Sequence, residues 1–528
     1  MRTESERSPW PALAALCLGF FMIMIDTSIV MVAIPDLMRE INASLNEVTW
    51  VTSAYVLGWA VPLLASGRLG DRYGRRRIFL AGIVVFTLAS AWCGLSGNPE
   101  MLIAARAAQG IGAALITPQT LSFITHLFPA GKRGAAMGVW GAVAGLGNIA
   151  GPLLGGLLVG SLGWEWIFFV NLPIGIVCVL MTLALVPPWR PGTKHSFDLT
   201  GIALSGVGLF FLIFGIQNGQ QYEWGTVFAG ITITEIIAAG VVLLIAFAIW
   251  QHFNKREPLV PLGLFRSRNF AIGNLAQIML GICLAGAMLP LVIYLQAVLG
   301  LTPLQAGLML APSALMSGII APFIGKRTDG PAAKYIGAFG FAAMAAGYAI
   351  VALIAAPQSS PWALIPGIVV LGVGLGCVFT PLTNLSISTV PPHQIGSGSG
   401  VFNAFRQVGT VLGTASVGVL LQARLVASMH STATQAAGAL PAGERAGFIA
   451  GMDKAAQAGA DAGAGGGGPA GGIGGQVFGT AFTEAATSSL WLPIGALALG
   501  AVLCLFFGAR QPVSPAAAPP RVEHADVA

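Results

Sequence analysis

Charged residues are scarce in this sequence. Only 9% of its 528 residues are Asp, Glu, Lys or Arg, whereas soluble domains usually carry about 25%. A soluble protein of this length is therefore excluded, because its cores would need a charged surface. Cysteine is scarce too, and six in 528 residues exclude a disulfide scaffold. Since 55% of the residues are hydrophobic, disorder is also excluded, and a polytopic membrane protein remains.

The apolar residues fall in blocks that are long enough to cross a bilayer. A hydrocarbon core of about 30 Å needs about 20 apolar residues in a helix. In lipid the backbone must pair within each segment, and runs such as Ile236–Trp250 lack the alternation of barrel strands. We therefore predict an all-α polytopic membrane protein with fourteen spans, at 11–35, 50–69, 78–97, 101–125, 134–160, 164–187, 198–218, 227–250, 270–299, 303–324, 335–356, 362–390, 397–424 and 486–508.

The basic residues predict the orientation. With the N-terminus inside, 20 of the 26 Lys and Arg residues fall in cytoplasmic segments and four in outer segments. This asymmetry follows the positive-inside rule and places both termini in the cytoplasm. The net charge of +6 is thus a signal of topology, and we do not expect a nucleic-acid partner.

Two features predict how the chain is organised. Gly67–Asp71 and Gly325–Asp329 both read Gly, base, two residues, Asp, after the second and tenth spans. If the seventh and eighth spans are an insertion, these segments are equivalent in two six-helix bundles. Residues 425–485 form a long outer loop, in which Ala462–Gly475 is too poor in apolar surface to order itself. The predicted units are an N-terminal bundle (1–190), two inserted helices (191–258), a C-terminal bundle (259–510) and a disordered cytoplasmic tail (511–528).

Asp26 and Arg106 are candidates for proton coupling. Ionisable side chains are costly inside a bilayer, so each is a functional candidate. By helix rise, Asp26 lies about 13 Å and Arg106 about 8 Å from the outer surface, so they can meet. A carboxylate beside an arginine stays ionised, whereas one left alone in apolar surroundings binds a proton, which is the basis of a proton switch. A static structural pair is the alternative.

Other polar residues within spans are candidates to line a substrate cavity. Gln109 shares a helix face with Arg106. Asn403, Arg406 and Gln407 share a face of the thirteenth span. Arg406 has no evident acidic partner in its half, so it should face a watery cavity or a distant carboxylate. Helix packing or contact with headgroups is the alternative for single members. The predicted cavity residues are Gln109, Asn148, Asn171, Glu235, Asn403, Arg406 and Gln407.

The loop after the second span is a candidate gate. Gly67–Arg77 reads Gly-Arg-Leu-Gly-Asp-Arg-Tyr-Gly-Arg-Arg-Arg, where tight turns explain the glycines and topology explains the bases. Asp71 has neither explanation, and an acid among bases is expected to form charge-assisted bonds that latch one conformation. The predicted cytoplasmic gate comprises Gly67, Arg68, Asp71, Arg72, Gly74 and Arg75.

The fifth span repeats glycine at close-packing intervals. Gly147, Gly151 and Gly155 form two consecutive GxxxG steps, which let backbones approach each other. Pro152 removes one helix hydrogen bond. Helix packing and a bend at a moving interface both fit this pattern.

Motifs of enzymes are missing from the sequence. It has no Walker-type Gly-Lys-Ser/Thr, no His pair at metal spacing and no nucleophile elbow. We therefore expect neither an enzyme nor a metal site.

Several motifs together resemble the major facilitator superfamily, and its fourteen-helix drug:proton antiporter branch in particular. Gly67–Arg77 resembles the loop motif between helices two and three, Arg106–Gly112 the fourth-helix motif, and Gly147–Gly156 the fifth-helix antiporter motif. Ile25–Pro35 and Trp164–Gly175 are similar to first- and sixth-helix motifs of the branch. The resemblance covers nearly the whole chain.

The resemblance implies two six-helix bundles around a central cavity, with helices seven and eight outside them. Asp26 would be the proton-linked carboxylate, Arg106 its modulator and Asp71 part of the cytoplasmic gate. The sixth-helix motif departs at Glu165, where arginine is usual. Members export lipophilic, often cationic compounds, and cation exporters often carry further carboxylates in the second bundle. Within spans nine to fourteen this sequence has no clear carboxylate apart from Glu484 at a span boundary, which favours neutral, zwitterionic or anionic substrates.

The predicted function is proton-coupled export of amphipathic small molecules, drugs and antibiotics among them, by alternating access across the inner (cytoplasmic) membrane of the cell. The proton motive force would drive it without a cofactor. A dedicated exporter of a native lipid, siderophore or metabolite is the alternative, and a membrane sensor or scaffold is disfavoured. The expected partners are a small lipophilic substrate, protons and membrane lipids. The outer loop permits a periplasmic adaptor, and we expect a monomer.

Overall fold

The structure is a computed structural model that describes residues 8–508, apart from residues 42, 44, 190–197, 220–221, 223, 229, 255–257, 326, 329–331, 392–393, 439 and 458–471. The predicted tail, 511–528, and most of the Ala462–Gly475 tract lie outside the described residues. Within them the chain is mostly α-helical, as the sequence predicts.

The first half of the chain forms helices α1 to α8. The second predicted span is broken at Pro62, which has no amide hydrogen to continue the preceding helix, and the two parts meet at an angle of 43°. The fourth span starts at a cap, because the Asn98 side chain accepts a hydrogen bond from the Met101 amide. The helices are α1 (Trp10–Glu40), α2 (Leu45–Ala60), α3 (Leu63–Tyr73), α4 (Arg75–Gly94), α5 (Pro99–Leu127), α6 (Ala130–Leu162), α7 (Trp166–Phe169) and α8 (Asn171–Leu185).

A helical pair follows in the middle of the chain. Helices α9 (Leu199–Asn218) and α10 (Ile233–Phe253) pack against each other. A short antiparallel hairpin of β1 (Thr226–Phe228) and β2 (Ile231–Thr232) joins them. These two helices correspond to the predicted insertion.

The second half forms helices α11 to α18. Short 3₁₀ helices at Leu262–Arg266 and Pro361–Leu364 lead into two of them, and a π-helical turn at Tyr294–Val298 follows α12. The helices are α11 (Arg268–Gly286), α12 (Met288–Ile293), α13 (Pro303–Gly325), α14 (Ala333–Ile354), α15 (Ile365–Ile387), α16 (Ile395–Ala437), α17 (Arg445–Gln457) and α18 (Gly472–Leu505).

Many of these helices can cross a membrane. Within the part of the chain that the structure describes, 12 helices are long and apolar enough, or up to 13 if the bent pair α2–α3 is one span. Helix α6, with 33 residues, covers the fifth predicted span in addition. The multi-pass α-helical fold is therefore confirmed, whereas the count of fourteen spans and the cytoplasmic position of both termini stay predictions.

The helices pack in two groups. Helices α1 to α8 contact mainly one another, and so do α11 to α18. The groups meet where α6 runs along α13 and α15, and where α16 lies against α3 and α5. Helix α9 contacts α2 and α16, so the inserted pair lies beside both groups. A movement of one group against the other must therefore change the contacts of α6 and α16.

The expected outer loop contains more helix than predicted. Helix α16 continues to Ala437, α17 occupies Arg445–Gln457 and α18 begins at Gly472, so much of residues 425–485 is helical. The segment is rich in alanine, which has the highest helix propensity of the common residues. Much of the predicted outer loop is therefore helical, and its position outside the membrane stays a prediction.

Candidate proton-coupling and gating site

A buried ion pair joins Asp26 of α1 to Arg106 of α5. The Nη1 of Arg106 donates a hydrogen bond to Oδ2 of Asp26 at 2.6 Å. Asp26 is 0% exposed and Arg106 is 1% exposed. The structure thus brings together the two residues that the sequence indicated, and their role in proton coupling stays a prediction.

Two amide side chains hold the other oxygen of Asp26. The Nε2 of Gln109 donates to Asp26 Oδ1 at 2.7 Å, and the Nδ2 of Asn171 does so at 3.2 Å. Gln109 lies on α5 beside Arg106, and Asn171 is the first residue of α8. Both were predicted to line a substrate cavity, but the structure places them on the carboxylate. Three donors therefore satisfy a charge that is fully removed from solvent.

Arg106 has further partners beside the carboxylate. Its Nη1 also donates to Gln109 Oε1 at 2.6 Å, and its Nε donates to the Val51 carbonyl of α2 at 3.4 Å. Its guanidinium carbon lies 4.0 Å from the centre of the Tyr55 ring. The face of an aromatic ring carries negative potential, so Tyr55 adds attraction for the cation. Helices α1, α2 and α5 thus hold the positive charge together.

Ser90 of α4 connects this cluster to two more helices. The Nδ2 of Asn171 also donates to Ser90 Oγ at 3.0 Å. Ser90 Oγ in turn donates to the Phe168 carbonyl of α7 at 2.9 Å. A change at Asp26 is therefore linked by hydrogen bonds to α4, α7 and α8. Sequence reasoning missed Ser90 and Tyr55, because a single polar group within a span does not reveal which way it points.

A glycine lets α6 approach α1 directly beside Asp26. A Cβ atom on Gly151 would lie 1.9 Å from Ser28 Oγ and 2.9 Å from the Ile25 carbonyl oxygen. A Cβ on Gly147 would lie 2.5 Å from the Met24 Cβ. The GxxxG pattern therefore packs these helices backbone to backbone.

The structure describes the burial of one of the two other residues of the predicted bend. Gly155 is buried in α6, two turns beyond Gly147. The side chains of Pro152 and of the predicted cavity residue Asn148 lie outside the described residues. The hypothesis of a bend at a moving interface stays a prediction.

A second buried ion pair lies between α3 and α4. The Nη2 of Arg75 contacts Asp71 Oδ1 at 2.5 Å, with 1% of each side chain exposed. Gly74 between them has a φ of 97°, a conformation open to glycine because it has no Cβ. The Arg75 guanidinium carbon also lies 4.3 Å from the Trp189 ring centre, beyond α8. These contacts hold the predicted cytoplasmic ends of three helices together.

The remaining gate residues have different environments. Arg68 donates a hydrogen bond to the Pro258 carbonyl, in the segment between α10 and α11. Arg72 is exposed, with its guanidinium carbon 5.5 Å from the Tyr73 ring centre. Gly67 is buried within α3. Arg68 thus links the first half to the connection between the inserted pair and the second half.

The three predicted cavity residues of α16 are buried, but none is hydrogen-bonded to Asp26. The Nδ2 of Asn403 donates to the Ser399 carbonyl, one turn earlier, at 2.9 Å. Within the described part of the chain, the Arg406 side chain forms neither a hydrogen bond nor an ion pair. Gln407 is 5% exposed. The structure therefore separates these residues from the carboxylate cluster.

Glu235 lies at the start of a span rather than deep inside it, and its role in a substrate cavity stays a prediction. Helix α10 begins only at Ile233, because the hairpin occupies the start of the predicted eighth span. Glu235 is exposed in the first turn and forms a capping box with Thr232. Its Oε2 accepts a hydrogen bond from the Thr232 amide at 2.8 Å. The structure thus places Glu235 in a helix cap, where a carboxylate also favours the helix dipole.

The two halves touch near their predicted cytoplasmic ends. The Trp140 ring of α6 lies edge-on to the Phe379 ring of α15, with centroids 6.4 Å apart. A Cβ on Gly400 of α16 would lie 3.3 Å from the Leu63 carbonyl oxygen of α3. With the predicted topology, these contacts lie in the cytoplasmic half of the interface between the two groups of helices.

The chemistry at this site is that of one carboxylate that can take up or release a proton. A proton on Asp26 Oδ2 would compete with the hydrogen bond that Arg106 Nη1 donates to that oxygen. Among the described residues, no group of three or more His, Cys, Asp or Glu side chains could hold a metal ion.

Comparisons with known proteins identify the family. The family model described as Major Facilitator Superfamily matches residues 16–414. An uncharacterized MFS-type transporter of Mycobacterium tuberculosis is 44% identical over 440 residues, which are 83% of this chain and 75% of that protein.

Two further relatives carry names that refer to resistance. A tetracenomycin C resistance and export protein of Streptomyces glaucescens is 34% identical over 79% of this chain and 77% of its own length. The multidrug resistance protein Stp of Mycobacterium tuberculosis is 34% identical over 80% of this chain and 78% of its own length. Among solved structures, the human organic anion transporter MFSD10 has a TM-score of 0.59 at 13% identity, covering 93% of this chain and all of its own. That likeness concerns the fold.

Proposed function

Because the chain belongs to the Major Facilitator Superfamily, we propose that it is a proton-coupled antiporter that exports amphipathic small molecules, drugs and antibiotics among them. As a member, it is a multi-pass membrane transporter rather than an enzyme. Relatives named for multidrug resistance and for antibiotic export support the exporting direction. The observation that carries the proton coupling is the fully buried Asp26, which is charge-paired with Arg106.

The proposed proton step is an exchange of partners at Asp26. While the carboxylate is ionised, Arg106, Gln109 and Asn171 hold it and tie α1 to α5 and α8. A proton on Asp26 removes the negative charge, and the buried Arg106 then loses its counter-charge. The pair therefore favours one arrangement of helices when ionised and another when protonated, and a proton gradient can bias the two.

The proposed transport step uses the contacts between the halves. In the arrangement with the cytoplasmic side closed, Trp140 meets Phe379 and α16 lies against α3. Opening that side must separate these contacts and release the Arg68 bond to the Pro258 carbonyl. Substrate would enter from the cytoplasm or inner leaflet in the open state and leave outward in the closed one. Protonation of Asp26 on the outer side and proton release inside would complete the cycle.

Proton-driven efflux in proteoliposomes tests this proposal. Purified full-length protein is reconstituted, a panel of amphipathic fluorescent dyes is loaded, and efflux is recorded with and without an imposed pH gradient. We expect gradient-dependent efflux of several dyes from wild type. Asp26→Asn should lower the gradient-driven component at least about 100-fold, since an amide cannot carry the proton.

A matched carboxylate-to-amide change serves as the control. Glu484 is exposed on α18, and Glu484→Gln should leave gradient-driven efflux unchanged. Full gradient-driven efflux by folded Asp26→Asn protein would overturn the coupling role of Asp26. Efflux that ignores the gradient in wild type would overturn antiport itself.

A further inference from the structure

Arg406 is a buried cation whose charge the described chain does not balance. Of its surface, 6% is exposed. The buried Arg106 and Arg75 each contact a carboxylate, at 2.6 Å and 2.5 Å, whereas the Arg406 side chain has no hydrogen-bond or ion-pair partner among the described residues. The sequence has no Asp or Glu between Asp329 and Glu444, so this part of the second half supplies no counter-charge. An uncompensated charge at this depth is costly and typically serves a function.

Arg406 belongs to a polar stripe along α16. The stripe consists of Ser399, Asn403, Arg406, Thr410 and Thr414, and spacings of three and four residues place them on one helix face. Ser399 and Asn403 are 0% and 1% exposed. Thr410 is half-buried and Thr414 is exposed, so exposure rises along the stripe. With the predicted topology, the buried end of the stripe lies toward the cytoplasm and its exposed end toward the outside.

Three of the four neutral members of the stripe donate hydrogen bonds within α16, whereas the buried Ser399 hydroxyl has no hydrogen-bond partner among the described residues. Asn403 donates to the Ser399 carbonyl at 2.9 Å, Thr410 to the Arg406 carbonyl at 3.0 Å, and Thr414 to the Thr410 carbonyl at 3.0 Å. The guanidinium of Arg406 presents five N–H donors and no acceptor. The stripe therefore lacks a negatively charged hydrogen-bond acceptor for Arg406.

The backbone around Arg406 is held firmly in place. A Cβ on Gly281 of α11 would lie 2.4 Å from the Arg406 carbonyl oxygen, and a Cβ on Gly409 would lie 2.3 Å from the Ile278 carbonyl oxygen. Helices α11 and α16 thus touch backbone to backbone at this level. A rigid helix fixes where the guanidinium is presented, which suits recognition of a ligand.

We propose that Arg406 binds the anionic group of the exported molecule, and that amphipathic compounds with one carboxylate or comparable negatively charged oxygen group are the preferred substrates. This inference rests on the proposed export function. A carboxylate accepts two parallel hydrogen bonds from a guanidinium, which supplies the missing acceptor and the missing charge together.

Binding of matched acid and amide probes tests the inference. The pairs are 2-naphthoate, 9-anthracenecarboxylate and 1-pyrenecarboxylate, each with its neutral carboxamide. Purified full-length protein in phosphatidylcholine nanodiscs is titrated with each probe, and fluorescence gives the dissociation constant. We expect wild type to bind at least one acid about tenfold or more tightly than its amide. Equal affinities in all three pairs, or no binding of any acid, would contradict the inference.

Variants show whether the preference depends on Arg406. Arg406→Gln should bring the acid-to-amide ratio close to one while amide binding persists, and Arg406→Lys should retain part of the preference. Arg424→Gln is the matched control, because it removes an exposed positive charge from the same helix. An unchanged ratio in folded Arg406→Gln protein overturns the inference. If Arg406→Gln does not fold, the acid-to-amide ratio of wild type and its partial retention in Arg406→Lys still test the inference.

Two further measurements distinguish a substrate site at Arg406 from an effect of the carboxylate cluster and from lipid binding. Asp26→Asn should keep the acid preference although it loses proton-driven efflux, so the inference and the proposed function fail independently. Loss of the preference in Asp26→Asn would show that Arg406 acts through the carboxylate cluster. Nanodiscs with added phosphatidylglycerol should leave acid binding unchanged, and competition by that lipid would assign Arg406 to a lipid headgroup instead. Either result would overturn a substrate site.

Discussion

Asp26 and Arg106 are 80 positions apart in the chain, yet their side chains meet at 2.6 Å in the buried interior of the first half. Each side chain balances the charge of the other, which would otherwise be buried without a counter-charge. A proton that reaches Asp26 must therefore disturb Arg106 as well. The proposed proton binding would thereby be linked to the contacts between α1 and α5.

The first prediction concerns the stability of this pair. Arg106→Gln leaves a buried carboxylate without its counter-charge and should lower the free energy of unfolding by about 3–5 kcal/mol. In the double variant Asp26→Asn/Arg106→Gln no charge remains, so the loss should be smaller than the sum of the two single losses. Chemical unfolding in detergent measures all three variants. Additive effects would show that the two side chains are not coupled.

The second prediction concerns the contact between α1 and α6. Gly151→Ala places a methyl group 1.9 Å from Ser28 Oγ and against the α1 backbone, and should lower the free energy of unfolding by about 1–3 kcal/mol. Gly160 lies on the same helix, and a Cβ there meets nothing within 4 Å. Gly160→Ala should therefore be neutral or stabilising, since alanine favours helix. Equal effects of the two substitutions would refute close packing at Gly151.

Asp198 joins the two inserted helices to the segment before α11 by hydrogen bonds. It caps α9 and also reaches α10 and the segment before α11. Its carboxylate accepts hydrogen bonds from the Gly201 amide at 2.8 Å, Trp250 Nε1 at 2.8 Å, Gln251 Nε2 at 2.7 Å and the Leu259 amide at 3.4 Å. Burial raises the pKa of this carboxyl, but the bonds from Trp250 and Gly201 and the others outweigh burial, so its pKa lies below the ordinary 3.8.

The third prediction is the pH dependence of the Asp198 hydrogen bonds. Because the pKa is lower in the folded state, the stabilisation is fully present above pH 3.8 and is lost as the pH falls below that value. Asp198→Ala should cost about 0.5–2 kcal/mol at neutral pH, as expected for loss of a helix cap. The difference from wild type should shrink below pH 3.8, as unfolding midpoints measured across pH would show. A difference that is constant down to strongly acidic pH would contradict the role of the ionised carboxylate.

The fourth prediction concerns the cytoplasmic gate. Asp71→Asn removes the counter-charge of the buried Arg75 and should speed amide hydrogen exchange in α3 and the first turn of α4 by about tenfold or more. Arg77→Gln, an exposed change one turn beyond Gly74, serves as the control and should leave exchange unaltered. Equal exchange in wild type and Asp71→Asn would argue against a latch at this position.

The depths of Asp26 and Arg106 along their helices were predictable from the sequence. Hydrophobic blocks locate the helices, and the rise per residue then places Asp26 and Arg106 at similar depths. The rotation of each helix was not predictable, because long apolar spans have no polar face to indicate it. The sequence therefore did not reveal that the Asn171 and Gln109 side chains point at the carboxylate, and their role in a substrate cavity stays a prediction.

Local hydrogen bonding accounts for the differences at Glu235 and along α16. Glu235 was placed within a span because the hairpin before it is itself apolar, so composition did not reveal the helix start at Ile233. The lack of a partner for Arg406 was already visible in the sequence, since acidic residues are missing from that stretch. The order of the polar stripe became apparent only once α16 was known to be continuous from Ile395 to Ala437.

The central claim is that Asp26 exchanges its proton as substrate binds, and proton release measures this most directly. Purified protein in weakly buffered detergent solution is mixed with a dye that it exports, over a range of pH, while a pH indicator reports released protons. We expect wild type to release protons as the dye binds and Asp26→Asn to bind the dye with no release. Equal proton release by both proteins would contradict the claim.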